Sequence, residues 1–148
     1  MKYLLDSNII SDFYDPLSVG HPQIYRCLTQ LTVNDRVFVS ILSLYELEYG
    51  FANAHEDYKP AIRRKIQETQ QDFEILPLSH QGAQLFGELK KALQVKRSIN
   101  KENMKKHTVD LIFATEALVH QCILVSEDKI YRDVQLLNPE FKYETWLK

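Results

Sequence analysis

Residues 109–125, VDLIFATEALVHQCILV, constrain the fold more than any other stretch of the chain. The segment 109–120 is apolar nearly all round, so a helix here must be enclosed on most sides rather than laid on a surface. One glutamine later the chain resumes with CILV (122–125), a short apolar run suited to a buried strand. A buried helix running directly into a buried strand belongs in a sheet with helices packed over it.

The same alternation extends through the sequence. Residues 2–5 read as a buried strand and 7–14 as a short helix stopped by Asp15-Pro16. Residues 21–33 read as a helix with Ile24, Cys27, Leu28 and Leu31 on one face, and 37–40 as a strand. Helices follow at 42–55 and 58–72, a strand leaving into a turn at 74–79, and an amphipathic helix at 80–95. A last short strand is expected near 135–143. No internal repeat, low-complexity tract or Pro/Gly-rich linker interrupts the pattern. At 148 residues, 45% apolar and 26% charged, the chain is long enough to bury ~68–70% of its unfolded surface as one domain over 1–148. The expectation is an α/β domain with a mainly parallel central sheet of about four to five strands, covered by helices on both faces.

Cys27 and Cys122 sit in apolar neighbourhoods and form no C-x-x-C, so both read as reduced core thiols; a single disulfide between them is the alternative. No run approaches the ~18 apolar residues of a membrane span, and the N-terminus begins a strand rather than a signal peptide. A soluble, cytoplasmic protein is expected.

In open parallel sheets, ligands bind outside the carboxyl ends of the strands. Asp6 directly follows the first strand, in YLLDSNII. Glu46 lies one turn into the helix after the second, and Ser126, Glu127 and Asp128 directly follow CILV. The helix from 110 runs roughly 17 Å away from this edge at 1.5 Å per residue, and the strand after it runs back. Asp110 is thereby returned to the same end. Each acid also has a structural role open to it: Asp6 as an N-cap, Glu46 in a Ser43-x-x-Glu46 capping box, and Asp110, Glu127 and Asp128 at positive helix ends. Taken together those roles explain less. Four close carboxylates repel, and Asp110 lies among Val109, Leu111, Ile112 and Phe113 with no obvious buried cation. A hard divalent cation, Mg²⁺ or Mn²⁺, suits oxygen-only ligation of this kind, whereas no His/Cys pairing at zinc spacing occurs. Asn8 and Ser126 are then supporting groups.

The formal net charge of −2 is unevenly placed: residues 90–107 hold seven Lys and Arg against Glu102 alone. Arg97, Lys101, Lys105 and Lys106 could hold phosphate groups, although such a run is also compatible with a solvated helix end. His107 stays open between contact with a substrate and an exposed place at a helix start, and Tyr45 and Tyr49, near Glu46, between substrate stacking and packing in the core or a dimer.

These motifs resemble the PIN-domain family, and within it the VapC-like toxins of bacterial toxin–antitoxin pairs. YLLDSNIISDF is similar to the family's opening strand and Asp-Thr/Ser-Asn turn. VSILSLYELEYGF is similar to its Ser…Glu-x-x-x-Gly helix, which places the acid at Glu46 rather than Glu48. VDLIFATEALVHQCILVSEDKIY resembles its Asp-x-x-Ile-Ala…Leu-Val-Thr-Asn-Asp segment, and LLNPEF its usual ending. The resemblance implies a metal-dependent endoribonuclease using Asp6, Glu46, Asp110 and Asp128. It also implies a homodimer and a small cognate antitoxin. Two departures stand out: Ser-Glu-Asp in place of Thr-Asn-Asp, which adds Glu127, and a Lys-rich segment before Asp110 that lacks the usual glycine. The alternative is a non-catalytic PIN-like module that binds RNA or protein. A receiver domain or haloacid-dehalogenase-type phosphatase fits poorly, because DSN supplies neither an acidic pair nor Asp-x-Asp.

Overall fold

In the computed structural model, which describes residues 1–147, five parallel strands form one sheet. They are β1 (Lys2–Leu5), β2 (Arg36–Ser40), β3 (Glu74–Leu76), β4 (Ile123–Val125) and β5 (Lys142–Glu144), in the order β3-β2-β1-β4-β5. Around them run α1 (Ser7–Phe13), α2 (His21–Thr29), α3 (Ile41–Asn53), α4 (Lys59–Asp72), α5 (His80–Arg97), the short α6 (Lys101–Met104), α7 (Thr108–His120) and α8 (Ile130–Leu137). β1 is central, pairing Leu4 with Phe38 of β2 on one side and with Leu124 of β4 on the other.

Alternation along β1 divides the interior. Tyr3 and Leu5 face Ile9, Ile10, Ile24, Val39, Val125 and Trp146. Leu4 faces the opposite cluster, with Phe38 and Leu124 and residues of α5, α7 and α8 such as Leu93, Leu111 and Val134. Side chains on a strand point alternately to the two faces, so consecutive apolar residues are what a sheet covered on both faces demands. α7 buries Leu111, Phe113, Ala114, Thr115, Glu116 and Ala117, as its nearly all-apolar sequence requires. Gln121, at φ 57°, ends the helix in the left-handed conformation and turns the chain straight into β4.

Several boundaries differ from the sequence expectation. The second helix stops at Thr29 instead of reaching 33, because residues 32–35 close a turn in which Asp35 accepts hydrogen bonds from the Thr32 backbone and hydroxyl. The last strand is later than 135–143: α8 occupies residues 130–137, and β5 begins only at Lys142. Ile130, Tyr131 and Val134 give α8 a buried face, and a helix satisfies its backbone within itself where a strand would need a free neighbour. α6 and the 3-10 turn after it (Lys105–His107) were also not anticipated; Asn100 caps α6 through Asn103 N–H. Both cysteines are free thiols, Cys122 buried and Cys27 partly so. Among the described residues no helix is long and apolar enough to cross a membrane.

Candidate active site

The carboxyl ends of β2, β1 and β4 lie side by side, and the acids follow from them. Asp6 continues the register of β1 by one residue, its N–H donating to Val125 O at 3.1 Å. Its side chain is only 7% exposed. Oδ1 accepts from Ile9 N–H (3.0 Å) and so caps α1, while Oδ2 accepts from the Ser126 hydroxyl at 2.5 Å. Ser126 is fully buried and its Oγ in turn accepts from Asp128 N–H at 3.1 Å. One hydroxyl therefore locks together the ends of β1 and β4. Asp6 is both the helix cap and part of the acidic edge, so the two roles open to it are not exclusive.

Glu46 has no capping role. Ser40, not Ser43, caps α3 by accepting from Leu42 N–H, which places Ser43 inside the helix. Ser43 and Ser7 share a 3.0 Å hydrogen bond, and Ser7 donates to Glu46 Oε1 at 3.1 Å. This relay fastens the exposed Glu46 to the first residue of α1, next to Asp6.

Asp110 stands in the first turn of α7, half-buried. The buried Tyr131 hydroxyl donates to its backbone carbonyl (3.0 Å), joining the start of α7 to α8. Burial, then the charges of Asp128, Asp6 and Glu46, push the Asp110 carboxyl up to about 6. Asp6 is also raised, chiefly by burial, with Asp128 and Glu127 adding to the effect and the bonds from Ser126 and Ile9 opposing it. Every charge acting on these two groups is negative. The structure thus brings Asp6, Glu46, Asp110 and Asp128 into one electrostatic neighbourhood, although they are spread over 122 residues of chain.

The supporting positions divide. Ser126 is central to the edge. Asn8 is exposed and lies with Glu127 and Asp128 around a hollow of about 380 Å³. Asp128, also exposed, accepts from Ile130 N–H at 3.0 Å and starts α8. Glu127 turns toward the C-terminal segment, where it accepts from Leu147 N–H at 3.0 Å. The basic run disperses as well. Arg97 is engaged with Asp133 of α8 at 2.7 Å, and Lys105 pairs with Glu102 at 3.1 Å. Lys101 and Lys105 line a groove with Lys90 and Lys91, and Lys106 lies beside His107. The His107 ring is partly enclosed; burial, Arg97 and Lys106 lower its pKa and favour the neutral ring. Tyr45 and Tyr49 are both exposed, so neither belongs to the core.

The oxygen-only donor set, with two carboxyls raised by burial and then by like-charged neighbours, fits Mg²⁺ or Mn²⁺ in its chemistry. A ligating arrangement is not already closed: among the described residues, no three His, Cys, Asp or Glu side chains surround one point. Sequence reading missed the buried Glu116 of α7, whose Oε1 accepts from Ser79 N–H (3.1 Å) and Ser79 Oγ (3.2 Å) at the start of α5. Glu116 is one acid within a long apolar run; its other oxygen lies 3.3 Å from His120 Nε2, an i,i+4 spacing that the sequence does show, whereas the contact with Ser79 needs the fold.

The profile of the PIN domain matches residues 3–137, and the chain belongs to the PIN-domain family. Among solved structures it is similar to a chain of VapBC2 from Rickettsia felis, bound to a DNA fragment from its promoter. That likeness has 25% identity, a TM-score of 0.78 and 99% coverage of both chains. It shares its fold with a chain of VapBC-1 from nontypeable Haemophilus influenzae (22% identity, TM-score 0.78, 100% of both chains). The same holds for DNA-bound VapBC from Salmonella typhimurium, at 18% identity and TM-score 0.73, covering 99% of this chain and 98% of that one. No curated protein matches the chain.

Proposed function

We propose that the protein is a metal-dependent endoribonuclease, the toxin of a toxin–antitoxin pair, hydrolysing RNA phosphodiester bonds. The observation that carries this reading is the convergence of Asp6, Glu46, Asp110 and Asp128 at the carboxyl edge of β1, β2 and β4. Asp6 and Asp110, the two more enclosed acids, would hold Mg²⁺ or Mn²⁺, with Asp128 and Glu46 completing the oxygen set. A bound divalent ion supplies Lewis-acid stabilisation of phosphate charge and lowers the pKa of a coordinated water. The chain's own contribution is positioning. Ser126 holds Asp6 Oδ2 in a fixed direction and pins the Asp128 backbone, while Ser7 holds Glu46 Oε1. Tyr131 fixes the turn that presents Asp110. Locked outer contacts of this type set ligand geometry.

The VapBC likenesses support a cognate antitoxin partner, and the family resemblance supports a homodimer. A mixed RNA pool incubated with purified protein and Mg²⁺ or Mn²⁺, beside EDTA and an Asp110→Asn variant, tests the reading. Cleavage that requires metal and is lost in the variant supports it. Equal background in all lanes, from folded protein that binds no metal, leaves a non-catalytic module that binds RNA or protein.

A further inference from the structure

A groove of about 360 Å³ separates α5 from α6, with Lys90, Lys91, Lys101 and Lys105 around it and the buried Met104 beneath. Four ammonium groups about one depression repel one another, and their local counter-charge is slight. Lys105 is drawn to Glu102, but that pair is exposed on both sides and of a kind that is easily surrendered. Lys90 reaches from the groove to the start of α7, its Nζ 3.4 Å from Thr108 Oγ1, two residues before Asp110. The groove therefore adjoins the start of α7, the helix whose first turn carries Asp110.

Gly87 adds a separate observation. It sits inside the 18-residue α5, where glycine weakens a helix relative to alanine. A Cβ placed on it would meet no atom within 4 Å. Nothing in the folded chain requires this wall to be bare, whereas close approach of a ligand to the helix would.

We propose that this groove holds the sugar–phosphate backbone of RNA flanking the cleavage point, a proposal that rests on the ribonuclease reading above. Lysines are flexible point charges that track phosphates without reading bases, in contrast to the planar fork of arginine. Arg97 is excluded because Asp133 holds it, and Lys106 because it does not line the groove. Of the four basic residues singled out in the sequence, Lys101 and Lys105 are thereby kept, and Lys90 and Lys91 of α5 join them.

The test measures binding of a labelled mixed-sequence single-stranded RNA to Asp110→Asn protein over a salt series with Mg²⁺ present. Two double variants remove equal charge: Lys91→Gln/Lys101→Gln in the groove, and Arg64→Gln/Lys142→Gln elsewhere on the exposed surface. The groove variant is expected to flatten the slope of log affinity against log salt by about 1.4, at about 0.7 per phosphate contact on a single strand, with the other pair unchanged. Gly87→Leu, which adds bulk without charge, is expected to weaken binding at least threefold at every salt concentration. Equal slopes for the two pairs, or unchanged affinity in Gly87→Leu, overturn the groove. Those results beside continued RNA cleavage by the unsubstituted chain leave the nuclease reading intact. Absence of both RNA binding and cleavage overturns both. Loss of poly-glutamate binding in the groove variant, with RNA binding unaffected, overturns it in favour of an acidic protein segment.

Discussion

Asp110→Asn is expected to raise stability while removing the proposed activity. The substitution keeps the side chain's shape and deletes a charge that burial and three neighbouring carboxylates oppose. The folded carboxyl titrates near 6 in place of an ordinary 3.8, through burial and then repulsion from Asp128, Asp6 and Glu46. At about 1.4 kcal/mol per tenfold change, that difference has an upper bound of about 3 kcal/mol. Asp110 is only half-buried, so solvent screening reduces this to about 1–1.5 kcal/mol. The folded state holds the extra proton between about pH 4 and 6, so the stabilising contribution of the neutral acid is full below about pH 4 and is lost as pH rises through about 6. Urea unfolding of both proteins at pH 4, 7 and 8 in EDTA reads the effect. The variant should be more stable by about 1–1.5 kcal/mol at pH 7 and 8 and nearly equal to the parent at pH 4. Addition of Mg²⁺ should then stabilise the parent and leave the variant almost unmoved, since a ligand of the folded state shifts unfolding by mass action. A variant less stable than the parent at pH 8, or a gain that persists undiminished at pH 4, would refute the reasoning.

Ser126→Ala removes a buried donor to the Asp6 carboxylate and the acceptor for Asp128 N–H; it should cost about 1.5–3 kcal/mol in chemical denaturation. Glu127→Ala should lose about 1 kcal/mol, the worth of its bond to Leu147 N–H, while metal-dependent RNA cleavage stays within about threefold of the parent; a complete loss of cleavage would assign Glu127 to the metal. Gly82→Ala brings a Cβ to 2.6 Å from Glu116 Oε1 and 3.0 Å from Ser79 Oγ, atoms already bonded to each other. A thermal or urea melt should register about 1–3 kcal/mol of destabilisation.

The elements that position the edge were legible because their patterns allow few alternatives. A run such as YLL ending at Asp-Ser-Asn requires burial on both faces of a sheet, and the structure divides Tyr3 and Leu5 from Leu4 accordingly. The nearly all-apolar 109–120 admits little other than an enclosed helix, and the rise per residue of helix and strand returns Asp110 to the edge. Contacts between distant side chains were less visible. Ser43-x-x-Glu46 matches a capping box in sequence, yet the helix begins three residues earlier at Ser40, so the same residues form a relay to Ser7. Arg97 reads as one more charge in a basic run until α8 brings Asp133 to it. α8 itself was hidden because its eight residues follow directly on the acidic turn and end at Asn138-Pro139, a span too short to establish a helical period.

The Ser126–Asp6 bond closes over 120 residues of sequence, and this orders events during synthesis. β1 leaves the ribosome first, yet its neighbour β4 is added only when most of the chain has been made. Contacts of such long sequence separation form late, after the intervening loop has been closed. A nascent or truncated chain ending before β4 has Asp6, Glu46 and Asp110 but lacks Ser126 and Asp128, and has no β4 against which to return Asp110 to the edge. The acidic edge is thus complete only on a polypeptide that has been made past β4 and has seated its central strand between both partners.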